Sequence, residues 1–394
     1  MPKILQINVD TALYSCGKIC EDISIVAQKQ GWETYVAYGR ERKAGVNSEI
    51  KVGCMLNVYE HYFEHRVFDN EGLASRCPTK KLIKEIIRIK PDIVQLHDIH
   101  DHWLNYKILF EYLKKQDIQV VWTLHDCWAF TGGCFYYDQE DCEKWRTKCE
   151  NCPQKRSLLI DQTKKQFELR KRLLEDMDNL TLVPVSDWLA NAVRLSFLKR
   201  KRLLTIHNGV NLSLFKPTPT KLKDKSVFNI LGVAAVWDRR KGLDDFIKLR
   251  TILPPSYHIT LVGLKKQIIK ELPAGIKGIE KTFNVQELVK LYSDADVFLN
   301  PTYSDNFPTT NIEALACGTP VITYRTGGSP EAIDDRTGII VEQGDIDALV
   351  EAIKRLNDHP LLTGDCRKRA ERLFNKDECF KSYIKLYNEL LSVK

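Results

Sequence analysis

The stretch Ser304–Val321 reads SDNFPTTNIEALACGTPV and sets two carboxylates, Asp305 and Glu313, on either side of a turn that carries Pro308, Thr309 and Thr310. It follows the strand-like run DVFLNP (Asp296–Pro301), and its apolar residues recur at helical spacing from Ile312 onward. The turn is therefore expected to be a helix N-terminus at the carboxyl end of a strand. Proline suits the first helical turn because its missing N–H would have no partner there in any case. The N–H groups and hydroxyls of Thr309 and Thr310, entered through Asn306 and Phe307, would then offer an anion site of the kind that holds phosphate.

Acids at both ends of such a site need a reason, since a carboxylate is repelled by a phosphate unless it points at hydroxyl donors. Sugars supply those donors. A ribose on Glu313, a diphosphate on the helix N-terminus and a hexose on Asp305 reconcile the three features. The plain alternative, in which Asp305 caps a loop and Glu313 lies on a helix surface, stays open on local chemistry alone.

Working outward, strand-like and helical runs alternate in both directions. KILQINVD, ETYVAYG, DIVQLH, QVVWTLH and TLVPVS read as strands with helical patterns between most of them, and the alternation restarts at VFNILGVAAVW. Such alternation predicts parallel sheets covered by helices on both faces. At 394 residues the chain exceeds one ordinary core, so two α/β domains are expected. The boundaries read as 1–210, a Pro/Lys/Thr-rich linker over 211–226, a second domain over 227–375 and a closing helix over 376–394 that is expected to pack back on the first domain. Ligands of such sheets bind beyond the carboxyl ends of the strands, so the reading is of two Rossmann-like domains facing across a cleft.

Composition restrains the partners. With 43% hydrophobic and 28% charged residues the chain reads as globular, and no apolar run approaches the ~18 residues of a membrane span. The first residues lack an apolar segment with a small-residue cleavage site, so a cytoplasmic chain without a signal peptide is expected. The net charge of +7 admits an anionic partner without choosing one. The run Phe197–Leu204, FLKRKRLL, reads as a solvated helix edge or as a point of peripheral contact with an anionic inner-membrane face. No dense basic stripe with interleaved aromatics is present, which speaks against nucleic acid.

Taken together the motifs resemble the retaining family 4 glycosyltransferases of the GT-B fold, of the bacterial surface-polysaccharide type. EALACGTPV (Glu313–Val321) carries in full the second acid and the Ala-x-Ala-x-Gly-x-Pro-Val close of that family's paired-acid signature, which departs at its first acid, here the shorter Asp305, and at its glycine-rich interior, here NFPTT. PVSDWLANAV, IHNGVNLSLFKP, DRRKG and TGGSPEAIDDRTGIIVEQGD resemble further segments of the family along most of the chain. The resemblance implies metal-independent transfer of a hexose, with retention, from a UDP- or GDP-sugar to a glycan or lipid-linked acceptor. It implies that Asp305 positions the donor sugar and Glu313 the ribose. The diphosphate would fall to Arg240, Lys241, Thr309 and Thr310. The family's usual arginine five residues before the lysine is replaced by Val236, so Arg240 or Arg239 is expected to supply the second cation. Gly17, in TALYSCGK, corresponds to a glycine-rich loop and reads equally as a substrate contact or a plain turn. His125 resembles the sugar-contacting histidine, whereas His97 and His100 read first as structural residues. A nucleotide-sugar epimerase or a phosphorylase would keep the fold and change the reaction, and a zinc-containing nucleic-acid-binding protein is the rival from another class.

Twelve cysteines are many for a reducing compartment, and four of them cluster in CFYYDQEDCEKWRTKCENC as Cys134, Cys142, Cys149 and Cys152. Their C-x7-C-x6-C-x2-C spacing ends in a zinc half-site, and clustered thiols in a reducing setting favour metal over disulfides. A structural Zn(Cys)4 knuckle is expected, with reduced thiols and disulfides as the alternatives.

Overall fold

The structure is a computed structural model that describes residues 1–155, 157–219 and 226–392. The chain divides into two units, Met1–His207 with Phe380–Lys394, and Asn208–Cys379. The middle of the linker expected over 211–226, residues 220–225, lies outside the described residues.

The first unit is built on seven strands: β1 (Lys3–Asn8), β2 (Glu33–Tyr38), β3 (Ser48–Lys51), β4 (Ile93–Leu96), β5 (Gln119–Leu124), β6 (Leu180–Pro184) and β7 (Arg202–Leu203). They pair in parallel in the order β3-β2-β1-β4-β5-β6-β7. The second unit carries β8 (Phe228–Val233), β9 (Tyr257–Val262), β10 (Ile276–Ile279), β11 (Val297–Asn300), β12 (Val321–Tyr324) and β13 (Gly338–Val341), again parallel, in the order β10-β9-β8-β11-β12-β13. The inner strands β4, β11 and β12 are buried on every residue, as expected of parallel strands covered on both faces.

In each sheet the chain winds outward from a central pair and then reverses, so the strand order changes direction between β1 and β4 and between β8 and β11. Loops at the carboxyl ends of such a pair splay apart and leave a crevice. The loops that leave β1, β4, β8 and β11 carry Asp10 to Tyr14, His97 to His100, the Asp238–Gly242 turn and Ser304 to Pro308. The core of the second unit gathers Phe246, Leu249, Leu261, Tyr324, Leu349 and Ile353, each fully buried, and each contributes about 1.5–3 kcal/mol by leaving water. The closing helix, Lys376–Ser392, turns Phe380, Tyr383, Ile384 and Tyr387 inward. From Phe380 onward it belongs to the first unit, where Thr123 donates to the Tyr383 hydroxyl at 3.2 Å, the Tyr387 hydroxyl donates to Gln95 and the Tyr387 ring packs 5.4 Å from Trp32.

Candidate active site

In the second unit the eight-residue helix Thr309–Ala316 follows the loop leaving β11, with Pro308 as its N-cap in extended geometry (φ −68°, ψ 114°). Proline has no side-chain acceptor, and no side chain caps this helix, so its first turn presents Thr309 and Thr310 half-buried. Asn306 and Phe307 are buried below the turn, with the Phe307 ring 5.8 Å from Phe374.

A second loop is strapped onto this one. Asp238 caps the short turn Arg239–Lys241 through its side chain, and Gly242 closes the turn at φ +70°. A Cβ at Gly242 would sit 2.2 Å from the Pro301 carbonyl oxygen, so only glycine lets the two loops meet. The Arg240 carbonyl accepts from Tyr303 N–H at 2.7 Å and from the Thr302 hydroxyl at 3.2 Å, while its guanidinium donates to the Ser304 carbonyl at 3.0 Å. These bonds deliver Lys241 to Asp305, and the two side chains form an ion pair in which each is less than a fifth exposed. From the other side, Gly328 N–H donates to the Asp305 carbonyl at 3.1 Å. Gly327, at φ +53°, passes so close that a Cβ would lie 1.9 Å from that same oxygen. Arg240, Lys241 and Asp305, named from sequence, are thus brought together; Val236, standing where the family arginine would be, is 58% exposed.

Glu313 lies in the second turn of the helix and accepts a hydrogen bond from the Tyr292 hydroxyl at 3.1 Å. Burial, and then the Glu313 charge, hold the Tyr292 hydroxyl well above the usual phenol range. The same two causes push the Cys317 thiol up to about 12. Sequence reasoning missed Tyr292, and it missed the buried network that fixes the helix. Asn300 donates to Asn311 at 2.8 Å, Asn311 donates to the Ser329 carbonyl and hydroxyl at 3.2 and 3.0 Å, and Thr323 and Ser329 share a bond of 2.6 Å. An asparagine fully buried on a short helix is the signal that only burial reveals.

The first unit holds its polar groups at the ends of β4 and β5. Gln6 donates from its amide to the Cys20 carbonyl at 2.8 Å and the Ser24 hydroxyl at 2.6 Å, which leaves its oxygen to accept from His97 Nε2–H at 2.9 Å. Burial, reinforced by His125, holds His97 well below the ordinary imidazole value, and burial lowers His125 too. With both rings neutral, His97 Nδ1 accepts from His125 Nε2–H at 3.1 Å. His100 behaves oppositely. Burial disfavours its charge, but Asp126, bonded at 2.8 Å, and Asp101, 3.6 Å away, outweigh burial and raise it well above the ordinary value. Asp101 and His102 both sit in the left-handed region, at φ +70° and +68°, a backbone strain that concentrates in this loop. Gly17 lies inside the helix Tyr14–Lys29 rather than in the loop before it. A Cβ there would press at 3.3 Å on the Ala12 nitrogen and the Asp10 carbonyl oxygen.

The four clustered cysteines line one cavity in the segment that follows β5. The pair Asp294 and Asp296 stands at the amino end of β11, where Asp296 accepts from Asn229 N–H at 2.8 Å, away from the strand ends that carry the site.

Comparison with known proteins accords with this arrangement. Residues 18–214 match the model of Glycosyltransferase Family 4, and residues 227–359 match that of Glycosyl transferases group 1. Over 98% of the chain and the full length of the relative, the sequence is 23% identical to a protein of Escherichia coli K12 named as the colanic acid biosynthesis glycosyl transferase WcaC. The fold is similar to that of sucrose-phosphate synthase from Thermosynechococcus elongatus, at a TM-score of 0.75 and 19% identity with both chains fully covered. It is also similar to Anabaena Alr3699/HepE in complex with UDP, at a TM-score of 0.68 and 12% identity over 99% of this chain and 100% of that one. With two Rossmann-like units, and a family match over half of its length, the chain belongs to glycosyltransferase family 4 and is a glycosyltransferase of the GT-B fold.

Proposed function

We propose that the enzyme moves a hexose, with retention, from a UDP- or GDP-sugar onto a glycan or lipid-linked acceptor in the assembly of a surface polysaccharide. The observation that carries this reading is the convergence in the second unit of Lys241, Arg240 and Asp305 beside a helix N-terminus that no side chain caps. A departing nucleoside diphosphate develops negative charge. In this reading Lys241, Arg240 and the N–H groups of Thr309 and Thr310 meet that charge without a metal ion. Lys241 waits on Asp305; when the diphosphate takes the ammonium, the carboxylate turns to hexose hydroxyls. Glu313, braced by Tyr292, accepts from the ribose diol. In the first unit His125, held by its bond to His97, makes a hydrogen bond to the donor sugar. The UDP held by Alr3699/HepE supports a nucleotide donor, and the name of the Escherichia coli relative supports a polysaccharide product.

Peripheral membrane contact also belongs to this proposal, with a changed location. In the run Phe197–Leu204, Phe197 and Leu198 are buried, Lys201 donates to the Met177 carbonyl and Arg202 pairs with Glu389. The helix Met55–Phe68, by contrast, exposes Leu56, Tyr59, Tyr62 and Phe63 beside the exposed Leu158 and Leu159, and no helix among the described residues is long and apolar enough to cross a membrane. This outward apolar face is the better candidate for resting on lipid.

The test of the transfer reading is turnover of a panel of UDP- and GDP-sugars by the wild type, Lys241→Ala and Glu313→Ala. Each variant is expected to fold, by circular dichroism, and to lose about 10²-fold or more in kcat/KM. Folded variants that turn over at the wild-type rate refute the assignment.

A further inference from the structure

The segment between β5 and the helix Thr163–Leu174 is long, carries little regular structure, and is held by unusual means. It passes through the short turns Trp128–Phe130, Tyr137–Glu140 and Lys144–Arg146 and contains five of the twelve free thiols, Cys127 and the four of the cluster. Cys134, Cys142, Cys149 and Cys152 line one cavity with Gly132, Trp145, Lys144 and Thr163. Its volume is about 20 Å³, room for one ion or one water and for no organic ligand.

The thiols are prepared as ligands. Gly132 N–H donates to the Cys149 sulfur and Gln154 N–H, two residues beyond its cysteine, donates to the Cys152 sulfur. Hydrogen bonds of this kind stabilise thiolate, and the Cys149-x2-Cys152 loop is turned back by Asn151 in the left-handed region at φ +48°. Lys144 lines the cavity and ties its ammonium to the Glu150 and Asn151 carbonyls at 3.1 and 3.2 Å, so a cation stands beside the place where four thiolates would leave net negative charge.

We propose that Cys134, Cys142, Cys149 and Cys152 bind one structural zinc ion, which clamps the segment after β5 to the strand end that carries His125 and Asp126. Each thiol releases its proton to solvent and donates a sulfur lone pair, and no redox change is involved. Among the described residues no three of these sulfurs lie within 4.8 Å of one another, whereas Zn–S bonds of ~2.3 Å require sulfurs roughly 3.8 Å apart. The ion therefore draws the shell in. The bond of 3.0 Å from Cys127 N–H to the Phe135 carbonyl, next to Cys134, carries that contraction toward Asp126.

The experiment is metal analysis of the full chain purified without chelator, followed by cobalt substitution. About one zinc per chain is expected, released when a mercurial titrates the thiols. The cobalt form is expected to show thiolate-to-metal charge transfer and the visible bands of a tetrahedral site. Cys149→Ser and Cys152→Ser lose the metal, and Cys54→Ser, an exposed cysteine far along the sequence, keeps it. Should the first two variants fail to fold, the cobalt spectrum of the wild type decides. Less than a tenth of an equivalent of zinc with no charge-transfer band overturns the proposal, and so does zinc retained by folded Cys149→Ser or Cys152→Ser protein.

Discussion

Replacing Gly327 by alanine tests whether the backbone, rather than the carboxylate alone, sets the position of Asp305. Gly327 adopts φ +53°, where an L side chain costs about 1–2 kcal/mol. Its added Cβ would also lie 1.9 Å from the Asp305 carbonyl oxygen. Ordinary van der Waals contact begins near 3.4 Å, so methyl and carbonyl must separate by about 1.5 Å. The oxygen cannot yield freely, because it accepts Gly328 N–H at 3.1 Å and belongs to the loop strapped to Arg240. Asp305 therefore shifts relative to Lys241 and the helix N-terminus. A displacement of about an ångström in a reacting constellation costs on the order of 10² in rate.

Gly344→Ala is the matched control. It carries φ +79° in the same unit, and its nearest new neighbour is the Tyr303 hydroxyl at a comfortable 3.5 Å. It pays the backbone cost without the clash. Both variants are expected to melt a few degrees below the wild type, Gly327→Ala the lower by the ~1–3 kcal/mol of an overpacked contact. Only Gly327→Ala should lose about 10²-fold in kcat/KM for release of nucleoside diphosphate. If Gly327→Ala turns over as Gly344→Ala does, the close approach of the two loops does not place the carboxylate, and the reasoning fails.

Tyr292→Phe deletes one hydroxyl donor from Glu313 and should raise the donor KM about 2- to 10-fold while kcat changes little, as a net hydrogen bond of ~0.5–1.5 kcal/mol implies; a fall in kcat alone would contradict ground-state binding by Glu313. His100 is raised well above its ordinary value because Asp126 and Asp101 outweigh its burial. Its protonated form thus adds stability that is complete below the unfolded value of ~6.5 and fades as pH climbs through the folded value. The stability gap between wild type and Asp126→Asn, followed by chemical denaturation, should therefore narrow as pH rises from below 6.5, and a gap that widens refutes the charged pair. Leu56→Asp combined with Phe63→Asp should abolish flotation with anionic vesicles and leave turnover of a soluble donor unchanged; undiminished flotation would remove the outward helix face as the membrane contact.

How much of this was legible depended on how far apart the cooperating residues lie. The acid, turn and acid of Ser304–Val321 could be read because one short stretch contains both the helix N-terminus and its flanking carboxylates. Arg240 and Lys241 could be matched to Asp305, over sixty residues on, only through resemblance, since nothing local says that Gly242 lets its turn press on Pro301. The His97–His125 relay was out of reach: it needs β4 beside β5, and Gln6 arriving from a strand roughly ninety residues earlier. The resemblance puts Gly17 in a glycine-rich loop before the first helix, yet it is the small residue on that helix, pressed against Asp10 and Ala12.

The helix Met55–Phe68 escaped the pattern altogether, and the reason is instructive. Periodicity detects a helix by the stripe it buries, but this one buries Val58, His61 and His65 and turns its tyrosine and phenylalanine outward. Beside the single apolar Val58, its inner face is specified by hydrogen bonds: His61 accepts from Gly72 N–H at 2.9 Å and pairs with Ser75 at 2.9 Å, and His65 meets His102 at 2.7 Å. Such a helix is costly unless its outward face finds a surface, because apolar area left in water forfeits roughly 25 cal/mol per Å². The same inversion that hid the element from sequence reading is therefore the physical reason to expect a lipid face against it.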